Sequence, residues 1–399
     1  MWNISKEVKE RFQKCNLLPI HESDEEWEIV LREAEEEGED IQSRLKEELD
    51  EGKEELLETM PSRFIPYVEN STINQPTLPK DVREDYLNWM READKAFEQV
   101  MEAASQQTKT ATSFLPKEVQ DVFEESLHDA IIERIKREDN TLHLYLNADG
   151  GFSTKAYIHL IFHNVESEKA DEPVQVGQWV VYDELRKTED GFAFRILFDC
   201  PEAEWTIAMK GMDAAYYYRP VAYTTLANEE TLNETSIEEY VSQLNPDHHY
   251  WLITPHVTSA IKKLSDDEMQ LEDGKVSFGK NMLVVSVGDD LFRYDLTEHN
   301  PIAFIFTDVF EDPYEEFHES VAVELLEEAA LSDELFMQAR AWNTMYARPE
   351  ELSEIINRVL LKMEVTEENE MMISVFLNHF RESGVLTETV VEKFSELLE

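Results

Sequence analysis

The chain has 399 residues, 42% hydrophobic and 10% aromatic, enough for two or three packed cores and too apolar for a disordered acidic tail. Its 36 Lys and Arg against 87 Asp and Glu leave a net charge of −51, which repels nucleic acid phosphates and anionic lipid and favours a basic protein partner. High solubility in a saline or alkaline habitat explains the same charge equally directly.

Cys15 and Cys200 are the only cysteines, too few and too distant for a disulfide framework or a zinc spacing. The N-terminus lacks an apolar signal core, and no run reaches the roughly 18 apolar residues of a membrane span. A cytoplasmic protein with no membrane attachment and no cofactor is expected.

Residues 1–130 read as a helical region. In "EEWEIVLREAEEEGEDIQSRLKEELDEGKEELLETM", Trp27, Leu31, Ala34, Ile41, Leu45, Leu49 and Leu56 recur at steps compatible with three and four, forming one narrow apolar stripe. Residues 22–58 carry 18 acidic and 4 basic side chains. Gly38 and Gly52 weaken the helix where they fall, and a helix hairpin is expected. "PYVENSTINQPTLP" reads as a loop, "DVREDYLNWMREADKAFEQVMEAA" as a second helix, and "LPKEVQDVFEESLHDA" as a third opening at Pro116.

The period then changes from 3.6 to 2. "IIERIKRE", "TLHLYLN", "KAYIHLIFHNV", "QWVVYDELRKT", "GFAFRILFD" and "EWTIAMK" are strand-like, so residues 131–214 are expected to form an antiparallel β-meander, one unit with the N-terminal helices. Residues 215–318 mix helix signals, "SIEEYVSQL" and "HVTSAIKKL", with a second β-region, "EMQLEDGKVSFGKNMLVVSVGDDLFRYDL". Residues 319–399 read as a helical bundle, with Thr366 and Thr387 as N-caps of its last two helices. Helices that precede the strands rather than alternate with them make the fold class α+β.

Four of the eleven histidines lie in residues 126–165. His159 and His163 would share a metal on a helix. On a strand they stand ~13 Å apart, so a site needs His143 from the neighbouring strand and a further ligand. His128 and Asp129 resemble the dipeptide of metal-dependent phosphohydrolases; the structural alternative is a helix C-terminus, where the dipole favours His. These five residues are the metal candidates. "NADGGF" reads as a tight turn with close backbone approach. "GKVSFGKN" spells most of a phosphate-binding loop, but Asn281 stands where Ser or Thr should hold magnesium, and a strand follows where a helix must begin. Tyr145, Tyr157, Tyr217, Tyr218, Arg219, His248, His249 and Trp251 are candidates for a binding surface. No nucleophile-and-base constellation can be read, so no catalytic residue is assigned.

"MWNISKEVKERF", "NLLPIHESDEEWE", "LHDAIIERI", "LHLYLNADGGFSTKAYIHLIFHNV" and "FRILFDCPEAEWTI" resemble a family of Gram-positive spore-forming bacteria, domain of unknown function 4085. The resemblance covers at least residues 1–210, carries no established activity or functional residues, and implies a bacterial cytoplasmic protein. A fainter likeness is to small β-modules of bacterial immunity-type proteins. The expected function is a non-catalytic acidic protein-binding module that engages a basic partner, with an immunity-type role as one form of it. The alternatives are a metal-dependent hydrolase using the His-rich hairpin, and a nucleic-acid mimic in which the acidic helix offers carboxylates in place of phosphates.

Overall fold

Gly38 divides the acidic N-terminal stretch: with φ at 72° it closes helix α1 (Asp24–Glu37), and α2 (Ile41–Thr59) follows. Ser23 and Asp40 cap the two helices by accepting from the amides of Glu26 and Ser43. The computed structural model describes residues 2–7, 9, 18–264, 268–279, 281–332, 334–366 and 369–398; Cys15 and Lys280 lie outside the described residues. Trp27, Ala34, Ile41, Leu45, Leu49 and Leu56 are buried as the stripe requires, whereas Leu31 stays exposed. Part of the expected loop is the short helix α3 (Ile65–Glu69), admitted by Pro66 in its first turn. The second expected helix runs further, as α4 (Lys80–Thr112), and α5 (Lys117–Phe123) follows with Pro116 as its N-cap.

The period-2 segment forms β1 (Ile131–Glu138), β2 (Thr141–Asn147), β3 (Tyr157–His163), β4 (Ser167–Ala170), β5 (Trp179–Lys187), β6 (Phe192–Asp199), β7 (Ala203–Met209) and β8 (Gly211–Tyr217). They make one sheet in the order β4-β7-β6-β5-β1-β2-β3-β8. This corrects the simple meander: two antiparallel blocks meet at β1 and β5, which share one register pair, Ile131 with Trp179. The period reading missed β4, wholly exposed, and β8, where strict alternation is lost, because neither carries a clean alternation. Beyond the junction the edge of β5 is free of β1, and α4 lies along it. There the Leu185 amide donates to Thr108 Oγ1 at 2.9 Å. The core between α4, α5 and the sheet holds Val119, Val122, Leu144, Leu160, Phe194 and Trp205.

Helices α6 (Val221–Asn228) and α7 (Ile237–Gln243) lead into a second antiparallel sheet. It comprises β9 (Tyr250–Ile253), β10 (Thr258–Leu264), β11 (Glu268–Leu271), β12 (Gly274–Phe278), β13 (Met282–Val287), β14 (Asp290–Asp295) and β15 (Ile305–Thr307), ordered β14-β13-β12-β11-β10-β9-β15. The expected helix in "HVTSAIKKL" is instead β10. Thr254 closes a tight turn through its hydroxyl to the Val257 amide, and β10 then pairs with β9 in register Thr258–Ile253, so tertiary pairing overrides helix propensity. The resemblance to a phosphate loop falls on the turn between β12 and β13, a strand-to-strand hairpin.

The chain ends in short helices: α8 (Glu315–His318), α9 (Leu326–Ala330), α10 (Leu335–Ala347), α11 (Ser353–Lys362), α12 (Glu370–Glu382), α13 (Glu388–Lys393) and α14 (Ser395–Leu398). All but α8 contribute to a core around Trp342, Ile356, Leu360, Leu377 and Phe380. Asn369, not Thr366, is the N-cap of α12, while Thr387 holds the N-cap position of α13 as expected, with its hydroxyl donating to Asn357 Oδ1 rather than capping the helix. The fold is α+β, and no helix among the described residues is long and apolar enough to cross a membrane.

Candidate functional site

Alternation along β2 and β3 sends Leu142, Leu144, Leu146, Ile158, Leu160 and Phe162 into the core. His143, Tyr145, Tyr157 and His159 fall on the opposite face. Tyr145 pairs across from His159 and His143 from Ile161, which makes the two histidines diagonal neighbours. Their rings meet, with His143 Nδ1 and His159 Nε2 at 3.0 Å. His159 stacks on Tyr145 with centroids 4.0 Å apart, and the Arg134 guanidinium lies 3.7 Å from the Tyr145 centroid. Arg134 also donates to Thr258 Oγ1 of the second sheet.

This stack is desolvated. Loss of water, reinforced by His143 and Arg134, pushes His159 down to about 3. Loss of water likewise holds His143 below its ordinary value. Two neutral imidazoles share one proton in a hydrogen bond, whereas two imidazoliums 3.0 Å apart would repel. The pair is therefore a neutral hydrogen-bonded unit at neutral pH.

The other metal candidates are placed elsewhere. His163 Nε2 meets Asp213 Oδ2 at 2.8 Å. His128 and Asp129 occupy the turn before β1, not a helix C-terminus; their side chains meet at 3.2 Å, and His128 stacks on Phe152. Asp129 adopts φ 66°, which Asp tolerates better than most residues. Among the described residues no group of three or more His, Cys, Asp or Glu is positioned to hold a metal ion.

The aromatic candidates form a seam between the two sheets. Tyr145, Tyr157 and Tyr217 are buried with Ile253 and Phe306, and Trp251 packs against them. Tyr217 and Trp251 have centroids 5.1 Å apart, and burial pushes the Tyr217 hydroxyl up to about 12. Reciprocal backbone hydrogen bonds between Tyr218 and Thr307 bridge the sheets. Arg219 clamps the same seam: it pairs with Asp149 at 2.8 Å, donates to the Ala303 carbonyl at 2.7 Å, and lies over Tyr223 and Phe306. His248 is partly buried, with Asn245 Nδ2 at 3.1 Å and Glu311 at 3.7 Å, and His249 is exposed. Arg134 was outside the candidate set. The signal that could have found the seam is the absence of charge at alternate positions of β2 and β3: a face of His, Tyr, Asn and Thr without Lys or Glu is a face expecting cover.

A family model described as "Protein of unknown function (DUF4085)" matches residues 4–209, half of the chain. The chain belongs to this family. The DUF4085 match takes in α1–α5 and β1–β7 and stops before β8, the strand that completes the sheet beside β3. Searches of curated proteins and of solved structures returned no match.

Proposed function

We propose that the chain is a non-catalytic acidic protein-binding module that engages a basic protein through α1 and α2. The observation that carries this reading is how the two helices divide their faces. Apart from Leu31 their apolar stripe is buried, while Glu25, Glu28, Glu33, Glu47, Glu51 and Glu55 are exposed and take no ion-pair partner among the described residues. Of the nearby cations, Lys80 and Arg83 pair with Asp24, Arg91 with Glu22, Arg44 with Glu39 and Glu48, and Lys53 with Asp50, which leaves Arg32 and Lys46 against the six glutamates. With only Arg32, Arg44, Lys46 and Lys53 among their cations, the two helices keep a large excess of negative charge, and such a surface repels itself and steers an oppositely charged partner. The neutral His143–His159 pair, turned into the seam, favours a binding role over a hydrolytic one. An exposed free thiol at Cys200 is in keeping with a reducing cytoplasm.

The test replaces those six glutamates by glutamine. Basic proteins from a bacterial lysate are captured on the parent and the variant at about 50 mM and about 500 mM salt. A stoichiometric basic partner held by the parent at low salt, released at high salt and absent from the variant is the expected result. Retention that ignores the six substitutions, or none at low salt, overturns the reading.

A further inference from the structure

The separation of β1 from β5 leaves space beside α4. Between α4, the end of α5 and β5 lies a cavity of about 620 Å³, lined by Ile4, Met101, Ala104 and Phe123 on its apolar side. Its neutral polar groups are largely committed. The Thr108 hydroxyl accepts from Leu185, Thr112 donates to the Lys109 carbonyl, Ser113 to the Thr110 carbonyl, and the Gln120 amide to the Leu115 carbonyl. Glu125 is held by Lys155, Ser153 and Thr154, and Glu124 by Lys117. Asp183, on β5, is the one carboxyl of the lining left over: the residue lines the cavity and its carboxyl takes no hydrogen-bond or ion-pair partner among the described residues.

A partly buried carboxyl without a partner is costly, and in a cavity it is the group a ligand would satisfy. The lining favours a cation at Asp183, because Lys117 and Lys155 already pair with Glu124 and Glu125 while no cation of the described residues, Lys109 included, pairs with Asp183. It does not favour a metal ion, for which the described residues bring no third ligand. The apolar wall suits a short hydrocarbon stem. We propose that this cavity binds a small aliphatic amine, whose ammonium group pairs with the carboxylate of Asp183 while its stem lies against Met101 and Phe123.

Proton linkage follows. Loss of water, and then the charge of Glu184 beside it on β5, push Asp183 up to about 7. The other charged groups facing the cavity are Lys109 from α4 and Glu124 and Glu125 beyond α5. Binding an ammonium requires the ionised carboxyl, and an alkylamine keeps its proton well above pH 8. Affinity therefore rises about tenfold from pH 6 to pH 8, as the ionised fraction does.

The probe is 1,4-diaminobutane, titrated into the full chain by calorimetry at about 150 mM salt, where general attraction to the acidic surface is screened. The methyl resonance of Met101 reports the location, and 1,4-butanediol is the uncharged control. Saturable binding to one site is expected, with a Met101 shift, the stated pH dependence and at least a tenfold loss in Asp183→Asn. Ser105→Trp, at an exposed lining position, closes the cavity without touching Asp183 and should abolish binding, which keeps the test decisive even if Asp183→Asn fails to fold. Equal binding by Asp183→Asn, equal binding of the diol, or no saturable binding at millimolar amine overturns the proposal.

Discussion

Replacing His159 by Phe tests whether the stack in the seam is neutral by design of the fold. Folded His159 stays unprotonated down to about 3, whereas the unfolded residue takes its proton near 6.5. Below 6.5 the unfolded state thus binds more protons, so the contribution of His159 is fully present above that value and is lost as pH falls toward 3. At ~1.4 kcal/mol per pH unit, lowering the pH from 7 to 5 removes about 2 kcal/mol. Residual exposure of the ring and coupling to His143 bring the expectation to about 1–2 kcal/mol for the pair. Phe cannot titrate and keeps the stacking on Tyr145, so the variant lacks this slope. Urea unfolding of both proteins at pH 7, 6 and 5 measures it, because the titration of every group not coupled to His159 cancels in the difference, which leaves His159 and its effect on His143. The stability of the parent relative to His159→Phe should fall steadily with pH. A difference constant to within about 0.5 kcal/mol would refute burial of the neutral pair.

Two further predictions concern the sheets themselves. Thr108→Val preserves shape on α4 but strands the buried Leu185 amide, and should lower stability in urea by about 1–3 kcal/mol. Gly274→Ala would place a Cβ 1.9 Å from the Ser286 carbonyl oxygen across the β12–β13 ladder. It should weaken the second sheet by about 2 kcal/mol or more and speed amide exchange at Val276 and Val285, with little change at Leu144 or Leu160.

Much of the first sheet was legible because its strands bury one face cleanly: the leucines of "TLHLYLN" and the phenylalanines of "GFAFRILFD" are core residues as their alternation demands. The exposed charges of β4 carry no such signal. Residues 258–264, with Ala, Ile, Lys and Leu, satisfy a helical reading locally and become a strand because β9 lies beside them. Among the sites, the possibility that His143 meets His159 followed from strand geometry, but its chemical meaning did not. Asp183 looked like one more acidic residue among 87, since nothing in "VVYDELRK" says that β1 leaves the edge of β5 open.

By itself the sequence determined the α+β class, the acidic surface, the buried stripe of α1 and α2 and the alternation of the central strands. All of these rest on local periodicity and on composition, which need no knowledge of distant partners. Only the tertiary structure decided that Tyr145, Tyr157 and Tyr217 on the polar face of the first sheet are covered by the second, that Tyr157 and Arg219 bind the two together, and that a cavity opens at Asp183. Those outcomes depend on which strands meet across long stretches of chain, and burial, ring stacking and desolvation exist only once they have met.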